Sequence, residues 1–171
     1  MATSTIGGGA PWVDLQGNSM SEPPAAGEHP VSFAFEDLEL GMRARFAKLV
    51  TDADVANFAA LSGDNNPIHV DPAYAADTPF KACIAHGFLT GSLISTVFGT
   101  RLPGAGAIYI SQTMNFRAPV YLGDTITAEV EIAELWPAKN RVKFDCACLN
   151  QDGKPVLVGE AILMVPRRTA T

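Results

Sequence analysis

The apolar positions of this chain follow two different periods, and each predicts its own kind of element. Phe33, Phe35, Leu38 and Leu40 lead through Gly41 into Arg43–Val50, a predicted strand. Thr51 then has the character of an N-cap, with Asp54 three residues later in the capping-box position and acidic side chains suited to a helix N-terminus. Val55, Phe58, Ala59 and Ser62 share one helical face and Gly63 supplies a stop, which predicts a helix over Thr51–Ser62. That helix delivers the chain into a loop, Asp64-Asn65-Asn66-Pro67-Ile68-His69. Asp71-Pro72 restarts a short helix, because aspartate caps and proline suits the first turn. A longer helix, apolar on most sides, is predicted from Gly87 to Phe98.

Beyond that helix the period falls to two. Tyr109–Phe116 is a candidate strand. Ile126, Ala128, Val130 and Ile132 alternate with Thr125, Thr127, Glu129 and Glu131, and Val142, Phe144, Cys146 and Cys148 alternate with Lys143 and Asp145. Gly123-Asp124 and Gln151-Asp152-Gly153-Lys154 are turn signals, and Pro155–Val165 closes the series. Strands joined by short turns imply an antiparallel sheet. A buried helix before such a sheet is hidden most economically when the sheet curls around it. The expected class is α+β with a central helix.

Composition changes this picture in two places. A chain of 171 residues with 47% hydrophobic positions can bury one substantial core. The formal net charge is −6, and Asp14, Glu22, Glu28, Glu36, Asp37 and Glu39 all precede Arg43, the first cation. The acidic excess therefore lies at the front, and the remainder is balanced. Such a balance argues against nucleic-acid and anionic-membrane partners. Residues 1–30, rich in Gly and Pro and without an apolar period, read as an acidic flexible tail or an expression remnant; 31–171 read as the domain. The start lacks the cations of a secretory or transit signal, so a cytoplasmic protein is expected. The uncharged stretch between Lys81 and Arg101 is too polar for a lone membrane span. Cys83, Cys146 and Cys148 show no metal-ligand spacing, and inert reduced thiols are expected, with no metal site.

Asp64 and His69 are the candidate reactive pair. Pro67 stiffens the span between them, and a carboxylate beside an imidazole can hold a water and move its proton near neutral pH. The same residues also fit plain structural roles: Asp64 in an Asx-turn after Gly63, and His69 as a satisfied core histidine. His86-Gly87 opens the long helix, where unpaired N–H groups could stabilise a developing oxyanion; equally, His86 could be a polar cap and Gly87 a helix-start glycine. Ser92 and Ser95 could face a pocket or fold back onto the helix. Nucleotide-loop, GxSxG and glycosylation motifs are absent from the sequence.

The string Phe58-Ala59-Ala60-Leu61-Ser62-Gly63-Asp64-Asn65-Asn66-Pro67-Ile68-His69-Val70-Asp71, followed by Ala85-His86-Gly87-Phe88-Leu89, resembles the hydratase-2 motif of the MaoC-like family. More narrowly, it is similar to short R-specific enoyl-CoA hydratases. The likeness continues through Leu102-Pro103-Gly104-Ala105-Gly106 and Phe116-Arg117-Ala118-Pro119-Val120, over residues 35–166.

The resemblance implies a hot-dog fold, in which a helix is wrapped by an antiparallel sheet. It also implies a homodimer with active sites near the subunit interface. Asp64 and His69 fall on the family's catalytic pair, which grips the water added across a trans-2-enoyl-CoA to give an R-3-hydroxyacyl-CoA. Gly87 matches the donor to the thioester oxygen. Ser95 and Phe98 match positions lining the acyl pocket, where the bulk of Phe98 would favour short chains, and Asn66 in the motif is a further substrate-binding candidate. No cofactor is implied, since coenzyme A belongs to the substrate. Arg117 and Lys143 are candidates for its phosphates. The alternatives are a 3-hydroxyacyl-ACP or -CoA dehydratase, an acyl-CoA thioesterase, and a non-catalytic acyl-binding module.

Overall fold

The computed structural model describes residues 32–168, so the tail 1–30 lies outside the described residues. The alternating segments become strands: β1 (Arg43–Leu49), β2 (Ile108–Gln112), β3 (Asn115–Phe116), β4 (Thr125–Trp136), β5 (Arg141–Leu149) and β6 (Pro155–Met164). They form one antiparallel sheet in the order β1-β4-β5-β6-β2, with β3 also pairing with β6. Between β1 and β2 come α1 (Asp52–Ser62), α2 (Pro67–Val70), α3 (Pro72–Ala76) and α4 (Gly87–Thr100).

Alternation places Ile126, Ala128, Val130 and Ile132 of β4 on the inner face, beside Val142, Phe144, Cys146 and Cys148 of β5. The helix α4 lies in the curl of this face, packed on β1, β4 and β5, with Leu93, Ile94, Val97 and Phe98 buried. A helix apolar nearly all round is stable in water only when wrapped on most sides, and the sheet supplies that wrap. On the outer face Arg43 pairs with Glu131, and Lys143 with both Glu134 and Glu160.

The lead-in Phe33–Leu40 forms a short 3-10 turn at Phe35–Asp37, with Phe33, Phe35 and Leu38 buried and Leu40 exposed. Two expectations are corrected. The span from Asp64 to His69 is only partly a loop. Pro67 starts the helical turn α2, because its fixed φ suits a first turn and the Asn66 side chain accepts from the Ile68 N–H. The predicted strand Tyr109–Phe116 is broken in two. At the break the Thr113 N–H reaches the Glu160 carbonyl, and the Thr113 carbonyl lies where a Cβ on Gly159 would stand, 1.8 Å away. Only glycine admits that crossing of backbones.

Burial pushes the thiols of Cys146 and Cys148, both on the inner face of β5, up to about 12, so they stay protonated and unreactive well above neutral pH. Native protein at about pH 8 is expected to expose only the half-buried Cys83 to a thiol reagent, with all three titrating in denaturant; three rapid native thiols would contradict the burial. Gly159→Ala is expected to lower stability by about 2 kcal/mol or more, because backbone rather than a flexible side chain must give way. An unchanged urea midpoint would refute that crossing.

Candidate active site

The site starts from two helix ends. A reciprocal capping box begins α1: the Thr51 hydroxyl accepts from the Asp54 N–H at 3.2 Å, and the Asp54 carboxylate accepts from the Thr51 N–H at 2.9 Å. Gly63 ends that helix at φ 78, a left-handed geometry glycine adopts freely, and its N–H bonds the Ala59 carbonyl. Asp64 follows immediately. Its carboxylate Oδ1 accepts from the Asn66 N–H at 3.2 Å, so the Asx-turn expected as its plain structural role is indeed formed. The turn leaves the carboxylate exposed.

His69 sits on α2, half-buried, and lines a cleft of about 500 Å³ with Gly87, Phe116, Arg117 and Val120. Its Nδ1 lies 2.7 Å from the Ile84 carbonyl. A carbonyl oxygen can only accept, so Nδ1 carries the hydrogen and Nε2 is the open nitrogen. The imidazole is therefore not a sealed core group; it keeps one face of its proton chemistry available.

His86 immediately precedes Gly87 and occupies the cap position of α4 without making a side-chain cap bond. Its Nε2 donates instead to the Asp64 backbone carbonyl at 2.9 Å, and its ring lies 3.9 Å from that of His69 and 5.0 Å from that of Phe58, centroid to centroid. This residue, given no role of its own in the sequence beyond a polar cap, stands beside both Asp64 and His69. Its place in the Ala85-His86-Gly87-Phe88-Leu89 segment of the motif is the signal that points to it.

One ligand atom from each of Asp64, His69 and His86 lies within 4.8 Å of the other two, a spacing that a metal ion could use. The ring geometry disfavours that use. The imidazoles face each other at an interplanar angle of 31°, whereas nitrogens sharing one ion must point at it from within their own ring planes. The arrangement is better suited to holding a water and moving its proton.

Gly87 opens α4 and lines the same cleft. A Cβ there would meet the Phe116 ring at 2.8 Å, so the absent side chain is what lets the helix start approach the cleft wall. A second, more open cleft of about 380 Å³ adjoins it, sharing Phe88, and includes Ser92, Ser95, Tyr109 and Met114. Met114 enters from the β2–β3 break with its sulfur 2.7 Å from the vacant Cβ position of Gly91.

The other expected residues divide. Ser95 lines the second cleft, while the Ser92 hydroxyl folds back to the Leu89 carbonyl at 2.6 Å. Phe98 lines neither cleft. It is 2% exposed and packs edge-on against Tyr109 at 5.2 Å and against Phe144 at 4.8 Å, so it backs the wall from the core. Asn66 lines neither cleft and acts as the cap of α2. Arg117 stands in the first cleft; Lys143 is held on the outer sheet face by Glu134 and Glu160.

Comparison with known proteins gives a consistent result. The family model for a MaoC like domain matches residues 37–146. A protein from Methylorubrum extorquens named 3-hydroxybutyryl-CoA dehydratase is 52% identical over 134 residues, 78% of this chain and 85% of that one. An (R)-specific enoyl-CoA hydratase from Rhodospirillum rubrum is 50% identical over 134 residues, covering 78% and 92%. The unliganded structure of an R-hydratase from Pseudomonas aeruginosa superposes with a TM-score of 0.77 at 47% identity, covering 80% and 88%.

Proposed function

We propose, from the fact that this chain belongs to the MaoC-like family, that it is an R-specific enoyl-CoA hydratase. The observation carrying this reading is that His69, with Nε2 open, and Gly87 at the start of α4 line one cleft, while a carboxylate oxygen of Asp64 lies within 4.8 Å of a His69 ring nitrogen. A water held between Asp64 and His69 attacks C3 of a trans-2-enoyl-CoA. The pair takes a proton from that water and returns one to C2 on the same face, giving an (R)-3-hydroxyacyl-CoA. Charge gathers on the thioester oxygen as C3 is attacked, and the Gly87 N–H at the helix start stabilises it more in the transition state than in the substrate. The reaction draws on no cofactor, because coenzyme A enters with the substrate.

Arg117 supplies a cation at the first cleft for a CoA phosphate, and the second cleft, with Ser95 in its wall, takes the acyl portion. Tyr109, backed by Phe98, closes part of that wall, which favours short chains. The same residues run the reverse dehydration, in keeping with the dehydratase name of the 52% identical relative. Concentrations of the two thioesters, not the site, then set the direction.

The working form is a homodimer. The strand β2 stands at the sheet edge with Ile108, Tyr109 and Ile110 exposed, and Phe116 is exposed beside it. A second copy pairing along that edge would cover an apolar margin that otherwise invites aggregation. The three cysteines are free, which suits the reducing cytoplasm, and no helix among the described residues is long and apolar enough to cross a membrane.

With crotonyl-CoA, the enoyl absorbance is expected to fall without release of free thiol, and the product to be the R isomer. Asp64→Asn and His69→Gln are each expected to cut kcat by about a hundredfold to ten-thousandfold with the fold retained. Near-wild-type hydration in both variants would sink the mechanism; thiol release would favour a thioesterase. The mass in solution, measured by light scattering, should be that of two chains.

A further inference from the structure

We infer that His86 is a positioning residue for this reaction: by one hydrogen bond and one ring face it holds Asp64 and His69 in register with each other and with the Gly87 N–H. The inference rests on the hydratase reading but concerns a residue that lines neither cleft.

An imidazole that is 2% exposed at a helix start is costly unless its polar atoms are used. His86 spends only one of its two nitrogens. Nε2 lies 2.9 Å from the Asp64 carbonyl, while Nδ1 is buried without a partner. Because the carbonyl only accepts, Nε2 must carry the hydrogen, and the orphaned Nδ1 is left as a lone pair rather than an unsatisfied N–H. The ring is thereby committed to one tautomer by a group on the catalytic carboxylate's own backbone. A capping role would have used the helix N–H groups, and no side-chain cap bond is made.

Two consequences follow for the acid–base pair. Holding the Asp64 carbonyl fixes the peptide from which the carboxylate's residue hangs, so release of that bond lets the carboxylate swing. Stacking at 3.9 Å fills the space beneath His69, whose other restraint is the Nδ1 bond to Ile84. Removing the His86 ring would open room for the His69 ring to tilt and turn Nε2 away. His86 is also joined by a peptide bond to Gly87, so one side chain links the proton-handling pair to the oxyanion donor.

The test separates ring from donor. His86→Phe keeps the ring and loses the N–H; His86→Gln keeps an N–H donor at comparable reach and loses the ring; His86→Ala loses both. With crotonyl-CoA and the full chain, Phe and Ala are expected to lower kcat by about tenfold to a hundredfold, as misplacement of reacting groups does, with KM little changed. Gln, which restores the donor but not the ring, should recover part of the kcat lost in Ala. Urea midpoints and circular dichroism identify the folded fraction, to which kcat is normalised.

Wild-type kcat in folded His86→Phe, a loss confined to KM, or a Gln variant no better than Ala overturns the inference. Nitrogen-15 NMR of the unmutated protein gives an independent arm that needs no variant to fold. The His86 ring should show its hydrogen on Nε2, and finding it on Nδ1 overturns the inference. Inactive Asp64→Asn and His69→Gln alongside a fully active His86→Phe would reject this role alone, whereas full activity in the first two rejects the hydratase reading itself.

Discussion

Burial of α4 inside the curved sheet is the constraint from which the rest follows. A helix with Ile94 and Val97 fully buried cannot leave its N-terminus sealed as well, because the first-turn N–H groups would then lack partners. The structure resolves this by bringing Gly87 to the wall of a cleft, with His86 buried behind it. The candidate site lies where the wrapped helix begins, with His69 of α2 and Phe116 of β3 in the same cleft wall.

Close approach does the shaping. Gly87 admits the Phe116 ring, Gly91 the Met114 sulfur, and Gly159 the carbonyl of Thr113. In each case the missing Cβ lets a segment from β2, β3 or their junction press against α4 or β6, and the contacts at Gly87 and Gly91 lie in the walls of the two clefts. The break in the edge strand is therefore not a defect in pairing. It turns Met114 inward and leaves Ile108, Tyr109 and Ile110 of the edge strand β2 exposed.

Backbone carbonyls, rather than other side chains, orient the imidazoles. Ile84 takes the Nδ1 hydrogen of His69 and Asp64 takes the Nε2 hydrogen of His86, so the two stacked rings are locked as opposite tautomers. That pattern leaves Nε2 of His69 as its open nitrogen. The two rings face each other, with an interplanar angle of 31°.

Much of this was legible in one dimension. The alternation in β4 and β5, the Thr51–Asp54 box, the Gly63 stop and the Asp71-Pro72 start all reflect local rules, and the structure obeys them because burial and capping act on neighbouring residues. Asp64 and His69 could be paired because Pro67 stiffens the short span between them. Tertiary structure alone decided which distant groups meet. Nothing near His86 in the chain announces the Asp64 carbonyl or the His69 ring, and nothing near Thr113 announces Gly159. Phe98 shows the same limit: its helical position says that it is buried, but whether it faces core or cleft depends on Tyr109 and Phe144 from two other strands. Sequence period records how much water a side chain avoids; only packing determines what it touches instead.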